Sequence, residues 1–162
     1  MSLFRLRHTI LVTSLSLTAC GFQLRTQPDI PPVMARTYIA AADNFSLFYR
    51  RLRSELTSAG VEVVDSPADA TAVFLILSDV TDQRVLSVSA RNVPREFEVF
   101  YTINYSVENG NQSIMEAQSL TLTRDYTYDE TLVLGKAREE ELLRDAIVDD
   151  LVRIILRQLS SL

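Results

Sequence analysis

The sequence predicts an α+β domain, a two-layer sandwich with two helices packed on one face of a mostly antiparallel sheet of about four strands. Three observations predict it. Residues 96–108 alternate apolar and polar side chains over an unusually long run, followed by Asn109-Gly110, the signature of a half-buried strand and a hairpin. Apolar residues recur at three- and four-residue spacing in two stretches, one after Asn44 and one near the C-terminus. A sheet with one apolar face and two amphipathic helices buries all its apolar surface most simply by placing both helices on that face.

The elements follow in chain order. Thr37-Tyr38-Ile39-Ala40 is a short strand. Asp43 or Asn44 is a suitable N-cap for a helix of about four turns. Its apolar face carries Phe45, Phe48, Tyr49, Leu52, Leu56 and Ala59, and Gly60 stands at the stop position. Arg50, Arg51 and Arg53 lie on the other face, where a charge run is more often solvated than ligand-binding. Val61–Val64 is a second short strand, and residues 65–70 form a loop. Ala72–Ala90 reads as one long, bulged strand or two collinear ones, containing the apolar run Val73–Leu77. Arg91–Pro94 makes the next turn, because proline is poorly placed inside a central ladder. Phe97, Val99, Tyr101, Ile103, Tyr105 and Val107 define the inward row of the alternating strand. The return strand, from about Gln112 to Tyr128, sets Leu120, Leu122, Tyr126 and Tyr128 on one face and Ala117, Ser119, Thr121 and Thr123 on the other. The last helix carries Leu142, Leu143, Ala146, Ile147, Leu151, Ile154, Ile155 and Leu159 as its stripe. Two starts are compatible with the pattern: a cap at Asp129 with Gly135 inside, or a start near Lys136. Glu139, Glu140 and Glu141 suit an N-terminal turn.

A chain of 162 residues, 47% hydrophobic and 23% charged, suits one globular domain. The scarce residues narrow its chemistry. There is one histidine, His8, one cysteine, Cys20, and one lysine, Lys136. Arg5, Arg7 and His8 form a basic head, Ile10–Leu17 a short apolar run, and Leu17-Thr18-Ala19-Cys20 a small-residue end. The run is too short and too rich in Ser and Thr to span a bilayer, and it reads as a signal peptide. That end resembles a bacterial lipobox, and the resemblance implies a cleaved signal peptide over 1–19, a lipid anchor and tether over 20–36 with the Pro-rich stretch 26–32, and a periplasmic domain over 37–162. Removing residues 1–19 takes two of the 16 basic residues, which leaves a formal charge of −7 and no histidine. Histidine-based catalysis and the usual zinc ligand sets are thereby excluded, and one cysteine closes no internal disulfide. The carboxylates Asp125, Asp129 and Glu130 lack a nucleophile or metal ligand set beside them. The acidic balance leaves no broad basic surface for nucleic acid. No cofactor or metal is expected.

Leu17-Thr18-Ala19-Cys20 resembles a bacterial lipobox, which implies diacylglyceryl transfer to the Cys20 thiol and acylation of the new amino terminus. Gly21, where Asp would favour inner-membrane retention, points to the outer membrane. The opening Cys20-Gly21-Phe22-Gln23-Leu24-Arg25 then resembles the CGFxLRG start of the LptE family of lipopolysaccharide-assembly lipoproteins. Thr26 departs from the family glycine. The element order and Arg124-Asp125-Tyr126 before the last helix agree with the family across the expected mature chain. The resemblance implies a non-enzymatic outer-membrane protein on the periplasmic side. It would plug the β-barrel LptD, assist its assembly, help deliver lipopolysaccharide to the cell surface and bind lipopolysaccharide itself. It also implies lipopolysaccharide-binding positions at Arg91 and Lys136, with Arg95 and Arg138 as neighbours able to share the role. A helix N-terminus near Lys136 would add free N–H groups that favour phosphate. An auxiliary lipoprotein of an ABC-type lipid transport system is the alternative compatible with anchor and fold.

Overall fold

The computed structural model describes residues 29–110, 112–128 and 133–162, with side chains of the last segment from 137 onward. The chain meets the core before its first strand: Pro32–Met34 form a 3-10 turn that buries Met34. Then follow β1 (Arg36–Ala40), α1 (Leu47–Ser58), β2 (Glu62–Val64), β3 (Ala72–Val88), β4 (Pro94–Asn109), β5 (Gln112–Thr127) and α2 (Val133–Leu159). The sheet order is β2-β1-β3-β4-β5. Both helices lie on one face, as expected, and the sheet has five strands rather than about four. β1 runs parallel to β2 and β3, because α1 is the crossover from β1 to β2. The three long strands form the expected antiparallel meander.

Helix α1 is shorter than the periodicity suggests. Ser46 is its cap, with Oγ accepting from the Tyr49 N–H at 3.1 Å. Asp43 Oδ1 instead accepts from the Phe45 N–H at 2.7 Å and closes a turn ahead of the helix. Phe45 therefore precedes the first turn and is 86% exposed, off the apolar face to which its spacing assigns it. Gly60 does end the helix, at φ +88°. Its N–H reaches the Thr57 carbonyl, and the Val61 N–H reaches that of Leu56, the reciprocal pairing of a Schellman cap.

The inward row of β4 is buried as the alternation predicts, from Val99 through Tyr101, Ile103 and Tyr105 to Val107. Phe48, Leu52 and Leu56 of α1 and Phe74 of β3 join the same core. The contribution of α2 is displaced from its expected stripe. Ile147, Val148, Leu151, Val152, Ile155, Leu156 and Leu159 are buried, whereas Leu142 is half exposed and Ala146 is exposed. The helix starts at Val133 with Gly135 inside, which places Glu139–Glu141 beyond the first turn. The hairpin differs by one residue. Asn109 is still paired, in register with Gln112, and Gly110 beyond it takes φ +58°. Register shifts between Tyr105 and Glu108 precede the turn.

β3 changes character along its length. Phe74 and Ile76 stand opposite Val107 and Tyr105 on the helix side. A register shift between Ile76 and Ser78 then brings Asp79, Thr81 and Gln83 into that row, opposite Ile103, Tyr101 and Val99. β1 pairs β3 only as far as Leu75, so Leu77, Val80, Val85, Leu86 and Val88 along the unpaired stretch are substantially exposed.

Two outcomes check this packing. Leu52→Ala lowers unfolding free energy by about 2–5 kcal/mol in urea titrations, while Phe45→Ala stays within about 0.5 kcal/mol of wild type; equal costs would contradict the placement of the helix start. The second concerns Tyr105, whose ring stacks on Phe74 at 5.3 Å and whose hydroxyl bonds Gln158. Burial pushes its phenol from 10.0 up to about 12. Its neutral form then contributes stability fully below pH 10, lost as pH rises towards 12. Tyr105→Phe should therefore flatten the fall of the urea midpoint across that window, and an unchanged slope would contradict the assignment.

Candidate functional site

The three long strands and the start of α2 converge on one end of the sheet. There β3 turns into β4 through Ser89–Val93. The Ser89 N–H bonds the Val93 carbonyl at 2.7 Å, and the Ser89 Oγ accepts from the Val93 N–H at 3.2 Å. Asn92 takes φ +60°, a left-handed conformation that asparagine tolerates better than most residues. Pro94 is the first residue of β4, the place in a central strand where its missing N–H costs least. Arg91 stands exposed in this turn, and Arg95 stands exposed one residue into β4. Neither forms an ion pair among the described residues.

Beneath these cations lies an aromatic cluster. Phe97 stacks on Tyr126 at 5.6 Å and meets Tyr128 edge-on at 5.4 Å. The Tyr128 N–H bonds the Arg95 carbonyl at 2.7 Å and ties the end of β5 to the start of β4. α2 begins five residues later, at Val133, so the backbone of Lys136 returns from this same end. Its side chain lies outside the described atoms, as do Cys20, Asp129 and Glu130. Of the four cations singled out in the sequence, Arg91 and Arg95 thus share one end with the α2 segment bearing Lys136. Arg138 is paired with Glu141 one turn further along.

A polar seam, absent from the sequence reading, runs under the first half of α2. The Tyr126 hydroxyl donates to Gln83 Oε1 at 2.9 Å, and Arg144 bonds Glu140 at 2.6 Å. Burial, followed by a hydrogen bond to Asp79, raises the Tyr101 phenol well above its ordinary range. In this half of α2 it is Leu143, not Leu142, that packs against the apolar core. Asp125, weighed as a carboxylate for catalysis, is exposed opposite Glu98 on the far face. Among the described residues, no group of three or more His, Cys, Asp or Glu is arranged to hold a metal ion.

The uncovered sheet face is polar and internally bonded. Asn104 donates to Ser78 at 2.6 Å, Thr102 bonds Thr121 at 2.8 Å, and Ser87 donates to Glu96 at 2.6 Å. Arg84 pairs with Glu98 and lies 5.9 Å over the Phe100 ring. Such a face can meet a polar partner without exposing a large apolar area. In the arginine run of α1, Arg51 binds Asp149 at 2.7 Å and Arg53 binds Asp65 at 3.0 Å, while Arg50 is exposed.

Comparison with known proteins agrees with this architecture. The chain is 26% identical to the LPS-assembly lipoprotein LptE of Yersinia enterocolitica over 161 residues, covering 95% of this chain and 77% of that protein. The solution structure of an uncharacterized lipoprotein B from Nitrosomonas europaea superposes with a TM-score of 0.73 at 30% identity, covering 87% of this chain and 91% of that one. A minor lipoprotein from Acinetobacter baumannii gives a TM-score of 0.66 at 25% identity, covering 81% and 94%. The family model described as "LptE: Lipopolysaccharide-assembly" matches residues 34–159. The chain therefore belongs to the LptE family, lipopolysaccharide-assembly lipoproteins and not enzymes.

Proposed function

We propose that this lipoprotein is held at the periplasmic face of the outer membrane by acyl chains on Cys20, the signal peptide over 1–19 having been removed. There it forms a plug-like complex with the β-barrel LptD, assists the assembly of that barrel and helps deliver lipopolysaccharide to the cell surface. Two or more acyl chains make such attachment stable where one holds only marginally. The polar, uncovered face of β3, β4 and β5 suits the polar interior of a large outer-membrane barrel. Lipopolysaccharide binds at the end of the sheet through Arg91 and Lys136, with Arg95 beside them.

The observation that carries this reading is the exposure of Arg91 and Arg95, neither in an ion pair, at the end from which α2 departs. In a mature chain with formal charge −7, a phosphate must be met by such a local cluster rather than by the overall field. An arginine fork gives a phosphate two parallel charge-assisted bonds, and a lysine adds a mobile point charge.

The test uses the acylated chain, purified from detergent-solubilised outer membrane. Replacing Arg91 and Lys136 together by alanine should weaken lipopolysaccharide binding about 10- to 100-fold with the far-UV spectrum unchanged. Wild-type chain should bring down a large barrel in equal amount. Unchanged binding in the double variant would remove the basic site from the account; an inner-membrane transporter as the stoichiometric partner would remove the barrel.

A further inference from the structure

We propose that a second groove, between β5 and α2, binds a phosphate oxyanion carrying a short apolar substituent. It is independent of the Arg91 end, since Lys136 and Arg153 are separated by about 25 Å of helix. The groove has a volume of about 290 Å³, at the lower end for small-molecule sites. Arg124 of β5 and Arg153 and Arg157 of α2 line it, with Asp150 between them. Leu122 and Ile154 stand half-buried on its walls, above the buried Ile147.

The charge count selects the ligand. Three guanidiniums line the groove with one carboxylate. Asp150 accepts from Arg124 at 2.5 Å and also pairs with Arg153. The neighbouring Asp149 is committed to Arg51 of α1 at 2.7 Å. Arg157 has no ion-pair partner among the described residues, and it stands one helical turn from Arg153. Like charges at this spacing repel across the helix surface. An oxyanion between Arg153 and Arg157 removes that repulsion and receives charge-assisted bonds from both. Leu122 and Ile154 then give a substituent on the oxyanion an apolar wall. Fully hydrated inorganic phosphate does not use that wall, whereas an alkyl phosphate does.

The experiment is a nitrogen-15 NMR titration of the full acylated chain in dodecyl maltoside micelles. Hexyl phosphate and inorganic phosphate are the two probes. Hexyl phosphate should saturate shifts at the amides of residues 122–124 and 150–157. Inorganic phosphate should move the same amides with at least about tenfold lower affinity. The double variant Arg153→Gln, Arg157→Gln should bind hexyl phosphate at least about tenfold more weakly. Asp150→Asn should bind it more tightly, because the competing carboxylate charge is gone. Arg91→Ala should leave the titration unchanged, which separates this site from the one proposed at the sheet end. No saturable shift at these amides, or equal affinity in the double variant, overturns the site. Equal affinity for the two probes overturns the apolar half of the assignment.

Discussion

The structure depends on a single buried row, Val99, Tyr101, Ile103, Tyr105 and Val107 of β4. This strand has a long partner on each side, and its inward side chains are what both helices cover. A strand of 16 residues extends for roughly 50 Å, while α1 with 12 residues covers only about 18 Å. The apolar core therefore occupies the end of the sheet shared by β1, α1 and the second half of α2. The far end must be satisfied by other means. Those means are the polar seam beneath α2 and the aromatic cluster of Phe97, Tyr126 and Tyr128.

This mismatch leaves an exposed basic turn at the far end. A sheet that outruns its core projects a turn away from the bulk of the domain, and Arg91 occupies that turn. The chain enters from the opposite end, because β1 starts beside Ala72, where β3 begins. The described chain thus begins at one end of three long strands and carries its basic turn at the other, a geometry that suits the proposed adaptor role.

The alternating strand was legible because a half-buried strand writes its burial into every second residue. The two helices were legible as apolar stripes, although their boundaries were not. Phe45 fits the period of α1, yet Ser46 caps one residue later, and periodicity cannot tell a first-turn residue from the loop before it. Leu142 fits the period of α2 as well as Leu143 does, yet only Leu143 packs against the core; periodicity does not choose between adjacent positions at the edge of a stripe. The basic end was half legible. The turn at Arg91 follows from Pro94, whereas the gathering of Arg95 and the start of α2 at that end follows from pairing across the meander. The groove at Arg124 was not legible: Asp150, which holds it, lies 26 residues away on another element.

In the proposed function, the basic end, and not the hairpin end, meets lipopolysaccharide. A photo-crosslinking amino acid placed at position 91, and separately at position 109, in living cells tests it most directly. The account predicts a lipopolysaccharide adduct on the chain at position 91 and none at position 109. An adduct at 109 alone, or equal adducts at both, would contradict it.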